Sequence, residues 1–376
     1  MSSNNKSNIK KYGYPQLFVS NNSGTLNLEI AFEIPVIFSG PDSKNLCSSQ
    51  ANEPDPNLAF GRAGRILLFK AMEIRKSTPQ DIPEIVELLR LSLGESLLPK
   101  SEQLWNWKHT ENPFGPSPVL LALENKQIVG VRAFLRWNFA NQTQVIHACR
   151  AVDTAIHPDY QRKGIFTKLT MGLIEEVRNE NLDCIFNTPN TQSTLGYLKM
   201  GWEKFGKLPL LLRLRFSRKS KSTIPTSDWT LVRDLATKLE HQHELGPGFS
   251  THFQPGYIFW RYENCPLFPY HYLSDGENFL LVFRIKEGKW GNEFRICDLL
   301  LSKTLNLSAE KNLQGQLQEA IQQSGCQLIS FSGLKSNLAL GLKFLPKLSI
   351  GPLVTLRQIK HGFVPNEQEW SWSIGD

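Results

Sequence analysis

A strand that runs into a glycine-containing loop and then into a helix restricts the fold of this chain most strongly. Residues 152–156 are mainly apolar or β-branched and predict a strand, and residues 157–163 form a polar turn that ends at Gly164. Backbone N–H groups without partners converge at the N-terminus of a helix, so the segment predicts a phosphate-binding loop. The helix after it has one apolar face, made of Leu169, Leu173, Ile174 and Val177.

Two common kinds of phosphate loop do not fit this spacing. The segment has no Gly-x-Gly-x-x-Gly, which a dinucleotide site requires, and no Gly-Lys-Ser or Gly-Lys-Thr, which a nucleoside triphosphate site requires. An ordinary strand–turn–helix connection is the structural alternative.

A second motif downstream weighs against that alternative. Residues 183–187 predict a buried strand, after which Asn190 can cap a helix that Gly201 ends. Ser193 and Tyr197 stand at positions i and i+4 and therefore share one face of this helix. A tyrosine packed in the core is the alternative interpretation of Tyr197.

Together the two motifs resemble those of the GCN5-related N-acetyltransferase (GNAT) superfamily. The acetyl-CoA loop of that superfamily reads Gln/Arg-x-x-Gly-x-Gly/Ala, and Gln161 and Gly164 match it after a Pro158-x-Tyr160 lead-in. Phe166 replaces the final small residue, as in a subgroup similar to the Eis-type acetyltransferases. The second motif matches the family in order at Asn190, Ser193, Tyr197, Lys199, Gly201 and Trp202.

The resemblance implies an α/β (α+β) GNAT fold, with a central mixed, mostly antiparallel sheet flanked by helices. It also implies direct transfer of an acetyl or other acyl group from acyl-CoA to a primary amine of a small molecule or amino sugar. Covalent catalysis is not expected, and Cys149 and Cys184 are interpreted as core residues. The implied contacts with acetyl-CoA are Thr154, Ala155, Ile156, Gln161, Arg162, Lys163, Gly164, Ile165, Phe166, Thr167, Asn190 and Ser193.

Two residues are candidates for catalysis. The resemblance implies that Tyr197 is the general acid that protonates the coenzyme A thiolate. Asp153 lies on the strand beside the expected thioester and is the first choice for the general base. His147 lies six residues before Asp153, and an even number of residues along a strand predicts that the two side chains share a face. A carboxylate that only binds Arg132, Arg150 or a loop amide is one alternative, and a water chain to solvent is another.

The composition of the chain mainly argues against certain classes of function. The 376 residues carry a net charge of +7, which suits an anionic ligand, but no dense basic stripe with interleaved aromatic residues predicts nucleic-acid binding. The six cysteines include no Cys-x-x-Cys, so a reduced cytoplasmic protein without a metal site is expected. No apolar run predicts a membrane span. Oligomeric state does not follow from the sequence.

The chain divides into five predicted segments. Residues 1–71 are expected to be a poorly ordered extension, and residues 72–215 the catalytic GNAT domain, with residues 208–215 as its last strand. Residues 216–250 are expected to be a linker with a connecting helix. Residues 251–365 resemble a degenerate second GNAT-like domain without the glycine loop, although a unique substrate domain is the alternative. Residues 366–376 form a tail.

Alternatives from other functional classes remain open. Phe166 favours an acyl-CoA-binding regulatory or interaction protein with little turnover. The tandem architecture also fits an aminoacyl transferase that uses charged tRNA, whose binding would depend on salt. Four aromatic residues form either an apolar or sugar-stacking wall of the acceptor pocket or part of the core; these are Trp105, Trp107, Phe114 and Trp137.

Overall fold

The structure is a computed structural model that describes residues 72–94, 99–208, 210–288, 291–331, 340–344, 351–363, 366 and 369–371. The extension predicted for residues 1–71 lies outside these ranges, as does most of the tail predicted for residues 366–376.

The described chain is built from thirteen strands and six α-helices. Its first part contains β1 (Glu73–Lys76), α1 (Ile82–Leu93), α2 (Glu102–His109), β2 (Val119–Glu124), β3 (Gln127–Ala140), β4 (Val145–Ile156), α3 (Ile165–Arg178), β5 (Cys184–Asn187), α4 (Thr191–Lys199), β6 (Glu203–Lys207) and β7 (Leu211–Leu214). Its second part contains α5 (Arg233–Gln242), β8 (Ser250–Thr251), a π-helical turn (Phe259–Glu263), β9 (His271–Ser274), β10 (Phe279–Lys286), β11 (Glu293–Leu301), α6 (Leu307–Gln323), β12 (Leu328–Phe331) and β13 (Leu353–Gln358).

A mixed sheet forms the centre of the first part. Its strand order is β1-β2-β3-β4-β5-β13-β6, and β8 pairs with β3. Only β4 and β5 run parallel, because α3 connects them and returns the chain to the same end of the sheet. Helix α1 covers one face of this sheet and α3 covers the other, each with its own buried cluster. The predicted fold class is therefore confirmed.

A second sheet has the order β7-β12-β11-β10-β9. It repeats the plan of the first sheet, since β9, β10 and β11 are antiparallel neighbours and β11 pairs in parallel with β12 across α6. At the corresponding place before α6, Asn306 caps the helix with its side chain, in an extended conformation, where α3 has a glycine loop.

The two parts of the chain exchange strands: β8 and β13 from the second part join the first sheet, and β7 from the first part joins the second sheet. β7 lies against β12, with Leu211 opposite Phe331, and β13 lies between β5 and β6. The prediction that residues 208–215 form the last strand of the first sheet is therefore wrong. Sequence neighbours usually pair in a sheet, but here Leu211 packs in the core of the second sheet. Sequence reasoning also missed β13, whose Val354 and Leu356 are buried on one face of the first sheet.

Two tryptophans, packed on one face of the first sheet, connect the two parts of the chain. The indole Nε1 of Trp107 in α2 donates to the backbone carbonyl of Trp260 at 2.5 Å, and the indole Nε1 of Trp260 donates to the carbonyl of Trp107 at 2.6 Å. Their rings stack 5.2 Å apart. The end of α2 is thereby held by the second part of the chain, and α2 carries two residues of the candidate active site.

Candidate active site

The site begins where β4 and β5 separate. The two strands pair only between residues 148–150 and 184–186, although β4 continues to Ile156. The edge of β4 beyond Arg150 therefore has no β5 partner. An open strand edge offers backbone N–H and C=O groups to an extended ligand. Three of the residues predicted to contact acetyl-CoA, Thr154, Ala155 and Ile156, lie on this stretch of β4.

A β-bulge interrupts β4 within the separated stretch. Arg132 of β3 faces Thr154 and Ala133 faces Val152, so Asp153 is the extra residue, and its φ is 41°. The bulge reverses the side-chain alternation from this point onward. The prediction that His147 and Asp153 share a face is therefore wrong: His147 is exposed and contacts Asn138, whereas Asp153 contacts α2.

The glycine loop lies at the start of α3, as its spacing predicts. Gly164 is the N-cap residue, with φ at 75° in the left-handed region. A Cβ there would meet no atom within 4 Å, so glycine is needed for the backbone conformation and the space around it is open. Residues 161–164 are exposed, and the first N–H groups of α3 point out of the helix end. The loop with Gln161, Arg162, Lys163, Ile165 and Thr167 can hold an anion.

Phe166 points away from the open side of the loop. Its ring lies 5.9 Å from the ring of Tyr197, edge to face, and next to Gly196 of α4. Phe166 therefore packs between α3 and α4. The departure from the family pattern at this position leaves the loop itself unobstructed.

Tyr197 is fully buried and makes a specific polar contact. The Nη2 of Arg132 donates to the Tyr197 hydroxyl at 3.0 Å, and the Nη1 of Arg132 donates to the Thr154 hydroxyl. The tyrosine is thus both a core residue and a member of a polar cluster that reaches β4. Sequence reasoning named Arg132 only as a partner for Asp153, and the signal in the sequence was an arginine inside the otherwise apolar stretch 128–135.

Asn190 and Ser193 organise the start of α4. The side-chain oxygen of Asn190 accepts from the Ser193 backbone N–H at 2.8 Å and from the Ser193 hydroxyl at 2.9 Å. The predicted cap is confirmed. These two side chains contact each other, and their role toward acetyl-CoA stays a prediction.

The carboxylate of Asp153 belongs to a cluster on the α2 side of β4. The ammonium of Lys108 forms an ion pair with Asp153 Oδ2, and His109 Nε2 lies 2.8 Å from the same oxygen. The other ring nitrogen of His109, Nδ1, lies 2.9 Å from the Ser117 hydroxyl. Sequence reasoning missed Lys108 and His109, which are consecutive on α2 and far from Asp153 in the chain.

The electrostatics of this cluster favour a charged aspartate beside a neutral histidine. Burial alone would raise the pKa of Asp153, but the Lys108 ammonium and the His109 hydrogen bond together hold that pKa well below its usual range. Burial lowers the pKa of His109, against an opposing effect of Asp153. A neutral His109 donates from Nε2 to Asp153 and accepts at Nδ1 from Ser117.

Other predicted residues are parts of the core. Trp105, Trp107 and Trp137 are buried, and Phe114 packs against Trp137 at 4.6 Å, so the core interpretation is confirmed for these aromatic residues. Cys149 is also buried, and burial raises its pKa to about 12, which disfavours the thiolate. In the same way, burial raises the pKa of Cys184 well above its usual value.

Metal-binding clusters and membrane-spanning helices are both absent from the residues that the structure describes. No cluster of three or more His, Cys, Asp or Glu side chains there could hold a metal ion. Within those same ranges, no helix is both long and apolar enough to span a membrane.

Comparison with known protein families agrees with this geometry. A family model described as an acetyltransferase (GNAT) domain matches residues 73–205, which include the loop, the bulge and Tyr197. Residues 73–205 are therefore assigned to the GNAT acetyltransferase domain that this model describes. No curated protein matches the chain.

Solved structures share the GNAT fold well beyond the matched residues. A probable N-acyltransferase from Enterococcus faecalis is 13% identical, with a TM-score of 0.55 over 77% of this chain and 73% of that chain. A GCN5-related N-acetyltransferase from Anabaena variabilis is 16% identical, with a TM-score of 0.51 over 77% and 73%. Eis1 from Mycobacterium abscessus is 11% identical, with a TM-score of 0.50 over 77% and 74%. At these identities the likeness concerns the fold, which includes the second sheet.

Proposed function

We propose that this protein transfers an acetyl group from acetyl-CoA to a primary amine of a small molecule or amino sugar, by direct attack of the amine. The observation that carries the proposal is the separation of β4 from β5 between the glycine loop and Tyr197. An extended thioester fits such a gap, with its phosphates at the α3 N-terminus and its arm along β4.

The donor side of the proposed site is the face of β4 toward α3 and α4. The first backbone N–H groups of α3 would bind the pyrophosphate, and Gly164 supplies the turn that exposes them. The bulge at Asp153 leaves a backbone group outside the strand ladder, where it can stabilise the oxyanion of the tetrahedral intermediate. Tyr197 would donate its proton to the departing sulfur.

The acceptor side of the proposed site is the face of β4 toward α2. Asp153 presents a negative charge there, next to Lys108 and His109. A carboxylate whose pKa is held this low accepts a proton weakly. We therefore assign Asp153 the role of attracting and orienting the acceptor ammonium. Water molecules take the two protons that the nitrogen loses, one before it attacks and one from the tetrahedral intermediate.

The reaction balances without a covalent enzyme intermediate. The amine nitrogen forms a bond to the thioester carbonyl carbon, the carbon–sulfur bond breaks, and its electron pair stays on sulfur. Sulfur takes the Tyr197 proton, and the tyrosine recovers a proton from solvent. An amide and free coenzyme A leave the site.

Binding is the first experimental test. Residues 72–376 are titrated with acetyl-CoA by calorimetry, next to Gly164→Glu, whose side chain enters the open space above the loop and carries a negative charge. We expect micromolar binding by the wild type and none by the variant. Equal binding by both proteins contradicts the assignment of the phosphate site.

Turnover is the second test. A library of amines and amino sugars is incubated with acetyl-CoA and assayed for free thiol, with Tyr197→Phe as the matched control because it removes only the hydroxyl. We expect product with the wild type and a loss of about 10²–10⁴-fold in kcat with the variant. Tight acetyl-CoA binding without any product contradicts the transferase proposal and favours an acyl-CoA-binding regulatory protein.

A further inference from the structure

Arg132 is a buried cation in the middle of the donor side. It lies on β3, is fully inaccessible to solvent, and extends toward α3 and α4. Two of its nitrogens donate to hydroxyl groups, one to Tyr197 at 3.0 Å and one to Thr154. Its third nitrogen, Nε, is buried and has no acceptor among the described residues.

The described residues around Arg132 supply no compensating negative charge. Within the described ranges, no carboxylate forms an ion pair with it. The faces of three aromatic rings surround the guanidinium instead, at 5.0 Å for Phe134, 5.6 Å for Phe166 and 5.5 Å for Tyr197. Ring faces stabilise a cation only partly, and a buried charge without a counter-ion destabilises a fold. A destabilising arrangement of this kind is characteristic of a functional site.

Negative charge develops next to this cation only during the proposed reaction. When the carbon–sulfur bond breaks, the electron pair moves to sulfur and the Tyr197 proton follows it, which leaves a phenolate. The Arg132 N–H that already donates to the neutral hydroxyl then donates to an anion, so the attraction between two opposite charges in a buried place is added to the hydrogen bond. The interaction is therefore stronger in the transition state than in the resting site, as catalysis requires.

We propose that Arg132 is the positioning residue of the leaving-group step: it holds the Tyr197 hydroxyl oxygen, leaves the proton of that hydroxyl for sulfur, and stabilises the phenolate. This inference rests on the proposed acetyl transfer. The negative charge that compensates the buried Arg132 is then the charge of the Tyr197 phenolate, which forms only during turnover.

The main test removes the charge of Arg132 and keeps most of the bulk of its side chain. In full-length Arg132→Met we expect kcat to fall about 10- to 100-fold, and KM and the acetyl-CoA dissociation constant to stay within about twofold. The melting temperature should remain at or above that of the wild type, because methionine removes an uncompensated buried cation. Arg132→Lys keeps the charge with fewer N–H groups and should retain more activity than Arg132→Met.

A double-mutant cycle tests whether Arg132 acts through Tyr197. If it does, Arg132→Met combined with Tyr197→Phe lowers kcat no further than Tyr197→Phe alone. The matched control is Arg284→Met in β10, since Arg284 is likewise buried and lies over the ring of Phe268 at 4.2 Å, but in the second sheet. The control should leave kcat unchanged.

Four results overturn the inference. They are full kcat in Arg132→Met, a joint loss of melting temperature and acetyl-CoA binding that marks a structural role, additive effects in the cycle, and a wild type that acetylates no amine. Only the last also contradicts the proposed function, so the two failures can be told apart.

Discussion

Trp260→Phe should destabilise the protein more than the loss of ring size explains. The indole N–H of Trp260 donates to the backbone carbonyl of Trp107, one of the last carbonyls of α2, which have no partner within the helix. Phenylalanine has no such donor and leaves this carbonyl unpaired in a buried place, at a cost of about 1–3 kcal/mol. The smaller ring removes roughly 50 Å² of apolar contact, or about 1 kcal/mol.

The control for this prediction is Trp229→Phe. Trp229 is 7% exposed, similar to the 5% of Trp260, and its ring packs against Tyr272 at 5.2 Å. No indole hydrogen bond of Trp229 is present among the described residues, so this variant isolates the loss of ring size. Urea unfolding followed by far-ultraviolet circular dichroism should then give Trp260→Phe a free energy of unfolding about 1–3 kcal/mol below that of Trp229→Phe.

A functional consequence follows from the position of Trp107 in α2. The next two residues of that helix, Lys108 and His109, contact Asp153. Loosening the end of α2 should therefore raise KM for the amine, while acetyl-CoA binding on the other face of β4 is retained. Equal free energies of unfolding for the two phenylalanine variants would refute the hydrogen-bond argument, and an unchanged KM would refute the link from the second part of the chain to Asp153.

Three further predictions concern acid stability, the exchanged strand and a helix cap. The pKa of His109 is lowered from its ordinary value of 6.5, so the contribution of His109 to stability is present above pH 6.5 and is lost as the pH falls below 6.5. The pKa of Asp153 is likewise lowered from its ordinary value of 3.8, so the contribution of Asp153 is lost as the pH falls below 3.8. The melting temperature should therefore fall from pH 7.5 to pH 5, and less steeply in His109→Gln; an identical slope in the variant would contradict a buried neutral histidine. Truncation after residue 351 removes β13 and leaves the edges of β5 and β6 without a partner, so we expect insoluble protein or lost protection of β5 amides in hydrogen exchange; a folded truncated protein that binds acetyl-CoA would refute this. Asn190→Ala removes the cap of α4 and should lower the free energy of unfolding by about 1 kcal/mol in urea titrations, whereas Asn190→Asp, which can still accept, should lower it less.

Local features of the first part could be predicted from the sequence, because their causes lie within a few residues. The strand that ends at Ile156 and the helix that begins after Gly164 lie where the sequence predicts them. The turn between β2 and β3 is made by Asn125 and Lys126, with φ at 52° and 71°. Gly164 and Asn190 could be assigned to their helix ends because a positive φ and a side-chain cap each depend on one residue and the helix after it.

The parts of the candidate site that prediction missed depend on residues far apart in the chain. Arg132 and Tyr197 are 65 residues apart, and His109 and Asp153 are 44 apart. The prediction that His147 and Asp153 share a face was wrong because of the bulge in β4. One extra residue in a strand moves every side chain beyond it to the opposite face. Nothing local to residues 147–153 marks the position of that residue.

By itself, the sequence determined the glycine loop and the tyrosine helix, because periodicity and capping act within one element and its neighbour. The resemblance carried by these two motifs implied the fold class. Only the tertiary structure decided which strands complete each sheet, with β7 and β13 exchanged between the parts of the chain. It also decided that Asp153 contacts Lys108 and His109, and that Arg132 contacts Tyr197. The physical reason is that strand pairing and buried charge depend on which surfaces meet when the two sheets pack, and a residue's type does not specify its distant neighbours.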